Sequence, residues 1–134
     1  MKSLIAVILW IPAFCFAQNT IDGRWRTVSE QNSPGSSERV TFVTKGDTVA
    51  MSASTGVSYA AKTDGTDAPI VGDKNTTSVS VTLPSAGVLV EISKKDKRPW
   101  LSMRMEVNAD GKTANVTWKN LNTNKQGSYS MARD

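Results

Sequence analysis

The chain has 134 residues, a net charge of +4 and no histidine. The absence of histidine excludes Ser/His/Asp and Cys/His catalysis. The single cysteine lies in an apolar N-terminal segment, so the rest of the sequence has no thiolate for a zinc site. The positive charge is mild and scattered, so we expect no nucleic-acid partner. We also expect no catalytic activity, no cofactor and no metal.

Residues 1–17 have the layout of a secretory signal peptide. A positive charge precedes an uninterrupted apolar run, and small residues lie at the third and first positions before a cleavage point after Ala17. The run is too short for a membrane-spanning helix of about 20 residues. A lipoprotein signal centred on Cys15 is the alternative, which the bulky Phe14 before it disfavours. We expect cleavage near Ala17 and a single secreted or periplasmic domain over 18–134.

The remaining sequence predicts about ten short strands. Apolar and polar residues alternate within them, and Gly, Asp, Asn and Pro mark turns roughly every 8 to 12 residues. In chain order the predicted strands are 22–28, 39–44, 48–53, 57–61, 68–71, 78–83, 88–93, 100–107, 112–119 and 127–132. Because Pro69 has no N–H group, we expect 68–71 to be an edge strand or an irregular crossing.

The clearest alternation belongs to the hairpin 100–119. Apolar residues occupy every second position of both arms, and Asp110-Gly111 supplies the positive φ that a tight turn requires. No segment shows a convincing helical period. We therefore predict an all-β protein, an antiparallel up-and-down barrel of about 8–10 strands, since closing the sheet removes exposed edges without disulfides. A β-sandwich is the alternative.

Two short motifs carry a resemblance to a known group. Gly23-Arg24-Trp25 at the start of the first strand, with Arg133 after the last, resembles the lipocalin and calycin signature. Apart from residues 1–17, the chain is similar over nearly its whole length to small secreted bacterial lipocalin-like domains. The resemblance implies that Trp25 plugs the closed end of a barrel like those of lipocalins and fatty-acid-binding proteins. It also implies that Arg133 packs across the Trp25 ring.

A barrel of this type is expected to bind a small apolar or amphipathic molecule. The predicted inner faces supply four candidate ligand contacts: Val81, Met103, Met105 and Trp118. Met51 and Met131 share those inner faces, and methionine adapts well to irregular apolar ligands. Filling of the core explains the same methionines without any ligand.

The alternative function is a filled barrel that acts through its surface, as a protein-interaction or envelope-associated module. The candidate contact is the basic tip, formed by Lys94, Lys95, Lys97 and Arg98 with Trp100 beside them. An ordinary solvated hairpin tip explains these charges equally well. Because Ser, Thr, Lys and Asn dominate the predicted outer face, we expect that the barrel does not span a membrane. We also expect a monomer.

The acidic residues have simpler explanations than catalysis or metal binding. Glu91 and Glu106 are the carboxylates within strands, and both fall on the more polar face of their strand, where we expect them to be solvated. Asp64, Asp67 and Asp73 cluster in sequence, but their spacing matches no calcium-binding loop. We expect all three to be turn residues.

Overall fold

The computed structural model describes residues 19–28 and 38–134. The proposed signal peptide, 1–17, and its cleavage point lie outside these residues, as does the segment 29–37. The described part contains ten strands. They are β1 (Gly23–Thr27), β2 (Arg39–Lys45), β3 (Thr48–Ala53), β4 (Ser58–Lys62), β5 (Ala68–Val71), β6 (Ser78–Ser85), β7 (Val88–Lys95), β8 (Arg98–Val107), β9 (Thr113–Asn120) and β10 (Gln126–Arg133).

The strands form a closed antiparallel barrel with an up-and-down topology. Each strand pairs with the next one along the chain, and β10 closes the sheet against β1. The predicted all-β barrel is confirmed, and the alternative of a β-sandwich is excluded. The described residues contain no helix long and apolar enough to cross a membrane.

Strand β5 is the shortest part of the barrel wall. It pairs with β4 through Ser58↔Val71 and Tyr59↔Ile70, and with β6 through Ala68↔Val79 and Pro69↔Ser78. Because both neighbours are present, the expectation of an edge strand is wrong. Pro69 has no N–H to donate, and β5 forms only a short run of pairs with each neighbour, but it is paired on both sides.

One end of the barrel, here called the closed end, is covered by residues 19–22. The Ile21 N–H donates to the Ala86 carbonyl at 3.0 Å, and Asp22 accepts hydrogen bonds from the Thr44 N–H and hydroxyl, both at 2.6 Å. Trp25 is fully buried beneath this segment, and its Nε1 donates to the Ile21 carbonyl at 2.8 Å. Residues 19–22 therefore close this end of the barrel.

The opposite end, here called the mouth, carries the connections β1–β2, β3–β4, β5–β6, β7–β8 and β9–β10. Alternation along the strands sends one face of each to the interior. The core members with no exposed surface are Ile21, Trp25, Val49, Val79, Val81, Leu89 and Ala114. Toward the mouth this packed core gives way to a cavity.

Candidate functional site

The interior cavity lies between the packed core and the mouth. Its volume is about 210 Å³, and Thr27, Ala53 and Val57 border it at the mouth. Deeper in, its walls are formed by Phe42, Tyr129 and methionine side chains. An apolar cavity with a few polar groups is the usual form of a small-molecule site.

All four methionines that follow Met1 border this cavity. They are Met51, Met103, Met105 and Met131, and they come from β3, β8 and β10. Each lies on the inner face that the sequence pattern predicts. Flexible, polarizable thioethers let the walls adapt to the shape of an occupant.

Two of the four predicted ligand contacts, Met103 and Met105, border the cavity, and the other two do not. Val81 is fully buried within the packed core. Trp118 is half-buried and borders shallow depressions of the surface instead. It pairs with Gly127, where an added Cβ would lie 2.8 Å from its ring, so the indole packs over the β10 backbone.

The buried polar group that lines the cavity is the Glu91 carboxyl, which is hydrogen-bonded to the Tyr59 phenol. The Tyr59 hydroxyl donates to Oε2 of Glu91 at 2.5 Å. Glu91 is 9% exposed and Tyr59 is 5% exposed. A charge-assisted hydrogen bond of this length is among the stronger contacts that a protein interior contains.

The expectation of a solvated Glu91 is wrong. Its partners across the sheet are Val81 on β6 and Met103 on β8, and paired residues share a face. The face toward the interior is therefore that of Leu89 and Glu91, not that of Val88 and Val90. The other strand carboxylate, Glu106, does lie on the outer surface, 3.9 Å from Arg104.

Burial dominates the ionisation of this site. It raises the pKa of Glu91 to about 7, the Tyr59 hydrogen bond opposes the rise, and the Glu38 charge adds to it. Burial also raises the pKa of Tyr59, and the Glu91 charge and hydrogen bond act in the same direction. Tyr129 has its pKa raised to about 12 by burial and by the charges of Glu38 and Glu91.

Sequence reasoning missed the polar residues of this cavity. Glu38 and Asp73 border it at the mouth, where burial raises the pKa of Glu38. Tyr59 and Tyr129 lie on predicted inner faces but carried no assigned role. One signal in the sequence was available, because pairing the predicted strands 88–93 and 100–107 as a hairpin places Glu91 opposite Met103.

Gly23, Trp25 and Arg133, which carry the resemblance described above, meet at the closed end. The Arg133 guanidinium lies 4.3 Å from the centre of the Trp25 ring. It also donates to the carbonyls of Thr20 at 2.6 Å, of Gly111 at 2.7 Å and of Asp22. Gly23 has φ = 117°, and an added Cβ would lie 2.8 Å from Nη1 of Arg133.

Two of the five residues of the basic tip, Lys94 and Trp100, already have partners within the chain. Lys94 forms an ion pair with Asp67 at 2.6 Å, and Trp100 donates from Nε1 to the Thr76 hydroxyl at 3.2 Å. Lys95 and Arg98 border a shallow depression together with Trp100. Lys97 is exposed at the turn, with φ = 69°.

The three aspartates that cluster in sequence, Asp64, Asp67 and Asp73, have different partners. Asp64 accepts hydrogen bonds from the N–H and hydroxyl of Thr66, Asp73 accepts from the Asn75 N–H, and Asp67 pairs with Lys94. Within 19–28 and 38–134, no group of three or more acidic, histidine or cysteine side chains could hold a metal ion.

No family model matches the sequence, and a search of curated proteins finds no significant match. The functional assignment therefore depends on the chemistry of the cavity.

Proposed function

We propose that the protein is a non-catalytic binding protein that holds a small amphipathic molecule in the barrel cavity. The observation that carries the proposal is the buried Glu91 carboxyl group, hydrogen-bonded by Tyr59, in a cavity lined by methionine, aromatic and aliphatic side chains that opens toward one end of the barrel. Apolar walls supply affinity, and a few convergent polar groups fix the orientation of a ligand.

The size of the cavity limits the size of the occupant. An apolar protein cavity of about 150 Å³ holds benzene, and drug-sized ligands occupy about 300–1,000 Å³. A cavity of about 210 Å³ therefore fits a molecule somewhat larger than benzene. Long-chain fatty acids and retinoids exceed this volume.

The proposal includes export and kinship with the calycin-type barrels. The signal-like sequence of residues 1–17 supports export to the periplasm or the medium. The closed barrel and the contact between Arg133 and Trp25 support the kinship. A filled barrel acting through the basic tip is less favoured, because the interior is not filled and Lys94 and Trp100 already have partners.

Native mass spectrometry tests the proposal directly. The protein is expressed without the proposed signal peptide and its mass is measured before and after delipidation. We expect a small bound molecule that delipidation removes, or binding of added compounds of the size of benzene to indole. A bare chain that binds none of these compounds would contradict the proposal.

A matched pair of variants locates the binding site. Ala53→Phe places a ring in the mouth of the cavity, and we expect it to weaken ligand binding more than about tenfold by occupying that space. Ala50→Phe makes the same change on the exposed face of the same strand and should leave affinity unchanged. Titration calorimetry compares the two, and equal affinities would place the ligand elsewhere.

A further inference from the structure

The charged groups around the cavity all have the same sign. Glu91 borders it inside the barrel, and Glu38 and Asp73 border it at the mouth. Among the described residues that line the cavity there is no lysine or arginine. The cavity therefore offers negative charge without a cation from the described chain to neutralise it.

Glu91 retains one oxygen for a ligand. Oε2 accepts the Tyr59 hydrogen bond, and in the described part of the chain Oε1 has no hydrogen-bond partner. No fully enclosed side-chain oxygen or nitrogen in that part lacks a partner, so Oε1 borders the open cavity. A buried carboxylate with a free oxygen is costly unless a cation or a donor reaches it.

The hydroxyl groups of both tyrosines are directed at acceptors within the protein. Tyr59 donates to Glu91, and Tyr129 points its hydroxyl at the Met103 sulfur at 3.9 Å. Apart from the Thr27 hydroxyl at the mouth, what remains for a ligand inside the cavity is a set of acceptors. An ammonium group has three N–H donors and no acceptor, so it complements this set, whereas a carboxylate ligand would oppose it.

The walls suit an organic cation better than a metal ion. Phe42 and Tyr129 present aromatic surface, and a cation over an aromatic face is stabilised further when it is shielded from water. A hard metal ion needs several oxygen ligands. The described residues contain no group of acidic side chains close enough to provide them.

We infer that the ligand is a small protonated amine on an apolar body, with the Glu91 carboxylate as its counter-ion and Tyr59 holding that carboxylate in place. This inference rests on the proposed function, since it names the chemical class of the molecule in the cavity. Glu38 and Asp73 attract the cation to the mouth, and the aromatic and methionine walls contact its apolar part.

Three probes of similar size and different charge test the inference: phenethylamine, 2-phenylethanol and phenylacetate. Titration calorimetry is performed at about pH 8, where Glu91 is ionised and the amine is protonated. We expect phenethylamine to bind at least about tenfold more tightly than 2-phenylethanol, and phenylacetate not to bind.

Glu91→Gln should remove the preference for the amine, because it keeps an acceptor for Tyr59 but has no charge. The control Glu106→Gln changes an exposed carboxylate and should leave the preference intact.

The titration of Glu91 gives a second measurement that needs no variant. The titratable groups around the cavity are Glu91, Glu38, Asp73, Tyr59 and Tyr129. Burial raises the pKa of Glu91 to about 7, so protons compete with the amine below that pH. We expect phenethylamine affinity to fall about tenfold or more between about pH 8 and about pH 5.5, with 2-phenylethanol affinity unchanged.

The outcomes separate the inference from the proposal beneath it. Equal binding of the amine and the alcohol, or tighter binding of phenylacetate, would overturn the amine inference and leave a small-molecule barrel in place. Loss of the preference in Glu106→Gln as well would also overturn it. Failure of all three probes to bind would overturn both.

Discussion

At the scale of single residues, the buried carboxyl group of Glu91 reverses the usual effect of pH on a glutamate. In the unfolded chain it titrates near its ordinary value of 4.5, whereas burial raises its native pKa to about 7. Between these values the folded protein keeps a proton that the unfolded chain has released. The free energy of unfolding therefore falls as the pH rises, by up to roughly 3 kcal/mol, and levels off above pH 7.

Removing the charge should remove this dependence. For the ligand-free protein we expect urea denaturation to show stability falling from about pH 5 to about pH 8, and Glu91→Gln to flatten that part of the curve. Glu106→Gln, which alters an exposed carboxylate, should keep the wild-type slope. A wild-type slope in Glu91→Gln would assign the pH dependence to other groups.

At the scale of secondary-structure elements, the closed end depends on the last residues of β10. Arg133 connects the segment 19–22, the turn before β9 and the Trp25 ring through three carbonyls and one aromatic face. A lysine cannot reproduce this planar arrangement of donors. One side chain therefore holds together parts of the chain that are distant in sequence.

Arg133→Lys should destabilise the protein by about 2 kcal/mol, because charge-assisted hydrogen bonds to partly buried carbonyls are lost. Arg104→Lys makes the same change on the exposed face of β8 and should alter stability by less than about 0.5 kcal/mol. Chemical denaturation measures both. Similar stabilities for the two variants would show that Arg133 is not needed to fasten the closed end.

Strand β7 shows where the sequence pattern stops being sufficient. Strand positions and hairpin pairing follow from alternation and turn residues, which are local, and these were predicted well. In β7, however, both faces contain apolar residues, so alternation does not determine the inner face. Register with β8 determines it and places Glu91 opposite Met103. Register does not, however, distinguish Met103, at the cavity, from Trp118, which packs over Gly127, because the two lie opposite each other in the β8–β9 ladder.

At the scale of the whole molecule, the barrel wall is weakest at β5. Four residues form this strand, Pro69 contributes no N–H, and the Ile70 N–H reaches the Thr77 carbonyl at a long 3.3 Å. Local opening has a low free-energy cost where few backbone hydrogen bonds must break. The wall between β4 and β6 is therefore the expected place for the barrel to open.

Hydrogen exchange followed by mass spectrometry checks this expectation. Amides of β5 should exchange at least about tenfold faster than those of β8, which pairs along most of its length with β7 and β9. Binding of a ligand beside the neighbouring β3–β4 and β5–β6 connections should slow exchange in β5. Equal protection of β5 and β8 would show that the wall opens as one unit.

The size of the cavity is also a property of the whole barrel. It depends on how many strands close the sheet and on how side chains from opposite walls meet at the axis, and neither quantity is local in sequence. Methionines on inner faces are compatible with a filled interior or with an open one. The sequence therefore predicted the barrel but left the question of an open or filled interior to the packing.

The seal at the closed end also determines how the molecule is oriented when it is attached to something else. Thr20 and Arg133 are hydrogen-bonded to each other, and the Asp134 N–H donates to the Arg24 carbonyl at 2.8 Å. Both ends of the described chain therefore leave the barrel on the side opposite the mouth. A tether, a fused domain or a solid support joined at either end leaves the mouth facing outward. Joining the two ends directly would give circular permutants whose new termini can be placed in a distant turn.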